Sequence, residues 1–133
     1  MGRCREAQLF VGQTSVTQSS IRILSASTDA GLNHSRALLL REHGFKVDLS
    51  NTVEKAEQLI ENETYDVLIF GSTLPTDACW SLAAAFRSRH PGGAIIEILP
   101  SPWAAPRNRP DATVVGSDEQ AKLIATIREA ANS

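Results

Sequence analysis

From residue 21 onward, short apolar runs alternate with longer segments of helical period. Ile21–Ala26 (IRILSA), Phe45–Leu49 (FKVDL), Asp66–Phe70 (DVLIF), Ala94–Leu99 (AIIEIL) and Ala112–Val115 (ATVV) have the length and aliphatic content of strands. DVLIF is continuously apolar after its first residue, which predicts a central strand covered on both faces. FKVDL alternates with period two, as a strand with one less buried face does.

Four helices are predicted between and after these strands. The first runs from about Ala30 to His43, behind Ser27, Thr28 and Asp29 as cap and turn residues, and is stopped by Gly44; its core stripe is expected on Leu32, Leu38 and Leu39. Ser50, Asn51 and Thr52 cap a second, Val53 to about Asn62, with Val53, Ala56, Leu59 and Ile60 on one side. Thr76 and Asp77 open a third, ending near Arg89, with Trp80, Ala83, Ala84 and Phe86 or Leu82 toward the sheet; His90-Pro91-Gly92-Gly93 breaks it. Ser117 and Gln120 have capping-box spacing for a last helix, Asp118 to about Ala131, bearing Leu123, Ile124, Ile127 and Ala130.

One link departs from this alternation. Pro100–Asp111 contains Pro100, Pro102, Pro106 and Pro110, a density that argues against a full helix there, so the helix of this link is shortened to as little as a single turn or replaced by a loop. Residues 1–20 are polar and read as a tail, leaving 21–133 as the folded unit. Strands that alternate with helices need crossovers and a parallel sheet. The expectation is a three-layer, doubly wound α/β fold of five strands in the flavodoxin-like order 2-1-3-4-5.

Composition narrows the chemistry. With 133 residues, 42% hydrophobic and 21% charged, the chain suits one compact domain, and a net charge of -2 offers no field for nucleic acid. No apolar run approaches the roughly 20 residues of a membrane span. Leu9, Phe10 and Val11 are too few for a signal-peptide core, and Glu6 breaks the lipidation pattern begun by Gly2. Cys4 and Cys79 lack metal-type spacing and read as free thiols of a cytoplasmic protein. His34, His43 and His90 are scattered, so neither a metal nor a cofactor is expected. Ser35, Ser72 and Ser81 have no base placed beside them by any motif.

The segment Tyr65–Pro75 (YDVLIFGSTLP), with the order and spacing of elements over about residues 20 to 131, resembles the receiver domain of two-component response regulators. The resemblance implies that the phosphoacceptor aspartate aligns with Gly71, while Pro75 keeps the family's proline. The two metal-binding acids align with Ser27 and Thr28, with Asp29 in the often acidic third place. The hydroxyl residue after the fourth strand aligns with Leu99 or, displaced, Pro100 or Ser101. The lysine after the fifth strand aligns with Gly116, followed by Ser117, and the aromatic switch position with Thr113. Hydroxyls and glycine cannot replace carboxylate ligands, a nucleophile and a cation together.

The resemblance therefore implies a pseudo-receiver. Such a module is no enzyme and works through contacts with a protein partner, or with a second copy through the last helix and the fourth and fifth strands. Trp103 with Arg107 and Arg109 in the proline-rich loop suits a partner contact, since Trp and Arg anchor interfaces; alternatively Trp103 covers apolar surface left bare by the missing helix. A competing reading is a small-ligand or anion sensor at the C-terminal edge of the sheet, where Ser27, Thr28, Ser72, Thr73 and Ser117 supply hydroxyls beside Gly71 and Gly116.

Overall fold

A computed structural model describes residues 21–107 and 109–132; the expected tail, with Cys4, lies outside the described residues. The elements run β1 (Arg22–Ala26), α1 (Ala30–Glu42), β2 (Lys46–Ser50), α2 (Val53–Asn62), β3 (Val67–Phe70), α3 (Thr76–Arg89), β4 (Ala94–Leu99), β5 (Ala112–Val115), a 3-10 turn (Gly116–Asp118) and α4 (Glu119–Asn132). All neighbouring strands are parallel, in the order β2-β1-β3-β4-β5. The flavodoxin-like topology expected from the alternation is the one observed. Between β4 and β5 no helix forms among the described residues.

The sheet separates two apolar layers. Leu24, Leu68, Phe70 and Ile95 pack with Ala56 and Ile60 of α2 and with Leu82 and Phe86 of α3. On the opposite face Ile23, Ile69, Ile96 and Val114 pack with Ala37 and Leu40 of α1 and with Leu123 and Ile127 of α4. Successive strand residues point to opposite faces, so helices on both sides require both sets to be apolar. That is why β3 and most of β4 read as unbroken apolar runs. Gly44, at φ 91°, ends α1 in a conformation that a side chain would disfavour.

Two helical faces differ from the expectation. α1 buries Asn33, Arg36, Ala37 and Leu40, while Leu32 is 55% exposed and Leu38 50% exposed. The reason is a polar network under the helix. The Asn33 amide donates to the carbonyls of Ser25 (3.1 Å) and Ser50 (3.0 Å) and to Asn51 Oδ1 (2.9 Å), and Asn33 Oδ1 accepts from Ser25 Oγ at 2.6 Å. Arg36 donates to Ser25 Oγ at 3.1 Å and forms an ion pair with Glu119 of α4. These bonds orient the helix in a way that a count of apolar positions alone does not detect. α3 in turn buries Ala78, Cys79, Leu82, Ala83 and Phe86, leaving Trp80 on a flank at 62% exposure and Ala84 exposed.

Helix starts also vary in chemistry. Asp29 and Thr52 cap α1 and α2 by accepting from Leu32 N and Lys55 N. Pro75 precedes α3, with no side-chain cap, and Thr76 and Asp77 lie inside the first turn. The 3-10 turn occupies the stretch where a Ser117 capping box was expected. Cys79 is buried as a free thiol. Among the described residues no helix is long and apolar enough to cross a membrane.

Candidate functional site

The C-terminal edge of the sheet is built by the register of its central strands. Ala26 of β1 is level with Phe70 of β3, and Gly71 N donates to Ala26 O at 2.8 Å. Ser27 and Gly71 therefore meet as the strands end. A Cβ placed on Gly71 would lie 2.6 Å from Ser27 Oγ and 2.8 Å from Ser27 Cβ. Ser27 is itself buried and held by a bond from its N–H to Ser50 O at 3.0 Å. Glycine is thus a packing requirement at the tip of β3.

Around Gly71 the hydroxyls bond to one another. Thr28 Oγ1 donates toward Thr73, with Thr73 Oγ1 at 2.9 Å and Thr73 O at 3.2 Å. Ser27 Oγ accepts from Asp29 N at 3.1 Å and lies 3.4 Å from Thr73 Oγ1. The structure brings Ser27, Thr28, Gly71 and Thr73 together, with Ser72 half-buried between the last two. Ser117 lines a separate groove of about 230 Å³ with Leu32, Arg36, Gly116 and Glu119. Leu99 is buried at the end of β4, and a Cβ on Gly116 would meet Leu99 O at an ordinary 3.6 Å.

Arg107 changes the picture of this edge. Read from the sequence as partner-facing, it turns inward instead. Its Nε donates to Glu97 Oε2 at 2.5 Å and its backbone N–H to Glu97 Oε1 at 2.9 Å. The remaining guanidinium nitrogens donate to Leu74 O and, at 3.3 Å, to Gly71 O. Glu97 is 1% exposed, so a carboxylate under the crossover loop needs this cation to stay there. Arg107 thus ties the loop to the β3–α3 link. The partner-contact reading therefore loses Arg107 and keeps Trp103, 86% exposed, with Arg109. Trp103 does not fold back over the surface left by the absent helix.

Glu97 was not singled out by the sequence reading, although a lone acid inside AIIEIL was the available signal. Two other groups have displaced titrations. Burial, with an Arg107 charge opposing, pushes the Cys79 thiol up to about 11. Burial and the hydrogen bond to Asp48 hold the Tyr65 phenol protonated well above its usual range. Tyr65 belongs to a distant cluster with Arg22, Asp48 and Glu63, beside a cavity of about 450 Å³ at the β2 margin of the sheet. Among the described residues no group of three or more His, Cys, Asp or Glu could hold a metal ion.

Solved structures similar to this one include receiver domains of response regulators and of a sensor histidine kinase. A CheY-like receiver domain protein from Methanospirillum hungatei is 22% identical with a TM-score of 0.71, covering 85% of this chain and 94% of its own. The receiver domain of the sensor histidine kinase PA1611 from Pseudomonas aeruginosa, which has magnesium in its active-site cleft, is 18% identical with a TM-score of 0.74, covering 86% and 99%. The response regulator TrrA from Thermotoga maritima, in a complex with the histidine kinase ThkA, is 20% identical with a TM-score of 0.70, covering 82% and 97%. The chain has the fold of CheY-like receiver domains. No protein-family model and no curated protein matches it.

Proposed function

We propose that this chain is a phosphorylation-independent receiver-like signalling module that acts through protein–protein contacts. The observation that carries the reading is the close packing of Gly71 on Ser27, where an added Cβ would stand 2.6 Å from Ser27 Oγ at the position to which the resemblance assigns the phosphoacceptor. Ser27 and Thr28 stand where the resemblance puts metal-binding acids, and their hydroxyls are engaged by Thr73 and Asp29. Gly116 stands where the resemblance puts the lysine. The module is no enzyme and works in the cytoplasm, away from membrane and nucleic acid. It takes a protein partner through the Trp103 and Arg109 loop, or a second copy through α4, β4 and β5. The kinase complex of the structurally similar TrrA supports a protein partner of the signalling type.

Incubation with a small phosphodonor and Mg²⁺, followed by intact mass, is expected to leave the mass unchanged; a stable, stoichiometric, acid-labile phosphoryl adduct would overturn the proposal. Thermal shift against nucleotides and metabolites separates it from a ligand sensor at Ser27, Thr28, Ser72 and Ser117. A ligand of the native state raises Tm by linkage, whereas a pure adaptor stays unmoved.

A further inference from the structure

We propose that Arg107 is a latch that makes the β4–β5 crossover loop and the β3–α3 loop open and close as one unit. The crossover, residues 100–111, is tied at its far end by a reciprocal pair, Asp111 N to Ile95 O (2.8 Å) and Ile95 N to Asp111 Oδ2 (2.7 Å). Toward that end, Arg107 bonds both oxygens of the buried Glu97 carboxylate and also reaches Gly71 O and Leu74 O across the edge. If Arg107 leaves, the buried Glu97 charge loses its cation while Gly71 O and Leu74 O each lose a donor in the same step, so partial release is disfavoured and the contact behaves as closed or open.

Backbone strain lies next to the latch. Arg109, at φ 50°, is the one non-glycine residue of positive φ among the described residues. Its carbonyl accepts from Arg87 Nη2 at 2.8 Å, so α3 holds the strained position. A left-handed arginine persists only while the surroundings enforce it, and opening the loop relieves that strain. Prolines 100, 102, 106 and 110 restrict the backbone of the loop, and Trp103 within it is exposed. The latch is a property of the fold and does not depend on the absence of phosphorylation.

Hydrogen exchange read by mass spectrometry on the full chain tests it. The reporters are the amides of Leu74, bonded to Gly71 O at 3.2 Å, and Cys79, bonded to Pro75 O at 3.0 Å. Arg107→Ala is expected to speed exchange of the peptide spanning 71–79 by about tenfold or more, beyond the change in other segments. Arg107→Lys, which keeps the charge but loses the fork, should do the same and serves if the alanine variant does not fold. Leu123→Ala, a cavity variant in the opposite layer, supplies a global loss of stability for comparison. A uniform rise in the Arg107 variants matching that of Leu123→Ala would reduce Arg107 to a structural contact and overturn the latch. Trp103→Ala is expected to leave 71–79 unchanged; a rise equal to that of Arg107→Ala would show that Trp103, and not Arg107, holds the loop.

Discussion

Gly71→Ala is the sharpest test of the edge. The new Cβ would stand 2.6 Å from Ser27 Oγ and 2.8 Å from Ser27 Cβ, well inside ordinary van der Waals contact. Rotating the hydroxyl relieves only the first clash, because the second involves Cβ. Moving Ser27 by several tenths of an ångström strains the bonds from Ser27 N to Ser50 O and from Gly71 N to Ala26 O, which fix both strand ends. Overpacking of this kind costs about 1–3 kcal/mol. Replacing glycine stiffens the unfolded chain and returns about 0.4–1 kcal/mol, since Gly71 is not among the residues of positive φ. The net expectation is a loss of about 1–2 kcal/mol, read as a lower urea midpoint at unchanged m-value. Adding Ser27→Gly removes both clashing atoms, so Gly71→Ala should cost little in that background, a coupling of about 1 kcal/mol or more. An alanine variant as stable as the native chain, or equal costs in both backgrounds, would refute the packing argument. By the same geometry, Gly71→Asp alone does not seat a carboxylate as a receiver would; it needs Ser27→Gly as well.

Other consequences are open to the same methods. Arg107→Ala leaves Glu97 buried without its partner and should cost about 3–5 kcal/mol in denaturant unfolding, with Arg107→Ala/Glu97→Gln more stable than the single variant. Trp103→Ala should change stability by less than about 0.5 kcal/mol, because the side chain is almost wholly solvated, yet abolish capture of a partner. Asn33→Ala removes an amide that serves three acceptors and should cost about 2–4 kcal/mol. The raised Cys79 pKa gives a sign: below about pH 9 the thiol is protonated in both states and its contribution is fully present. As pH rises from 9 through about 11 the unfolded chain loses the proton first, so stability falls, in the same direction as the raised Tyr65. Unfolding series at rising alkaline pH should show a shallower decline for Cys79→Ala; equal slopes would remove Cys79 as a source.

The strands were legible because their neighbours made them so. A sheet packed on both faces forces VLIF and AII into unbroken apolar runs, and β4 and β5 begin and end where the sequence pattern places them. α1 was legible as a helix but not in its orientation. Its run of three leucines, Leu38 to Leu40, spans most of the helix circumference, so apolar periodicity alone did not decide which face is buried. Asn33 and Arg36 decided it, through acceptors on β1, β2 and α4 that are distant in sequence. Trp80 shows the same limit, since a large aromatic at helical spacing favours a core position, whereas α3 fills its inner face with Ala78, Cys79, Leu82, Ala83 and Phe86.

The edge shows the same limit from the other side. Proline density argues against a full helix between β4 and β5, and the register of Ser27 with Gly71 follows from the strand order. What the pattern did not reveal is how a loop can replace a helix over a sheet. A helix covers sheet with apolar side chains and satisfies its own backbone; a loop of this length does neither unaided. Here one strand residue on the uncovered face is an acid, and the loop returns an arginine to it while also bonding carbonyls of the next loop. Glu97 and Arg107 are thus one solution to one problem, and neither makes sense alone. Replacing both with leucine is the decisive comparison. If the pair serves only to fill space, the double variant should match or exceed the native chain in stability, as apolar replacements of buried ion pairs often do, by about 1–4 kcal/mol. It should nonetheless lose the bonds to Gly71 O and Leu74 O, so exchange at 71–79 is expected to rise even in a more stable protein. Protection at 71–79 that follows global stability would instead leave the arginine without any role at the edge.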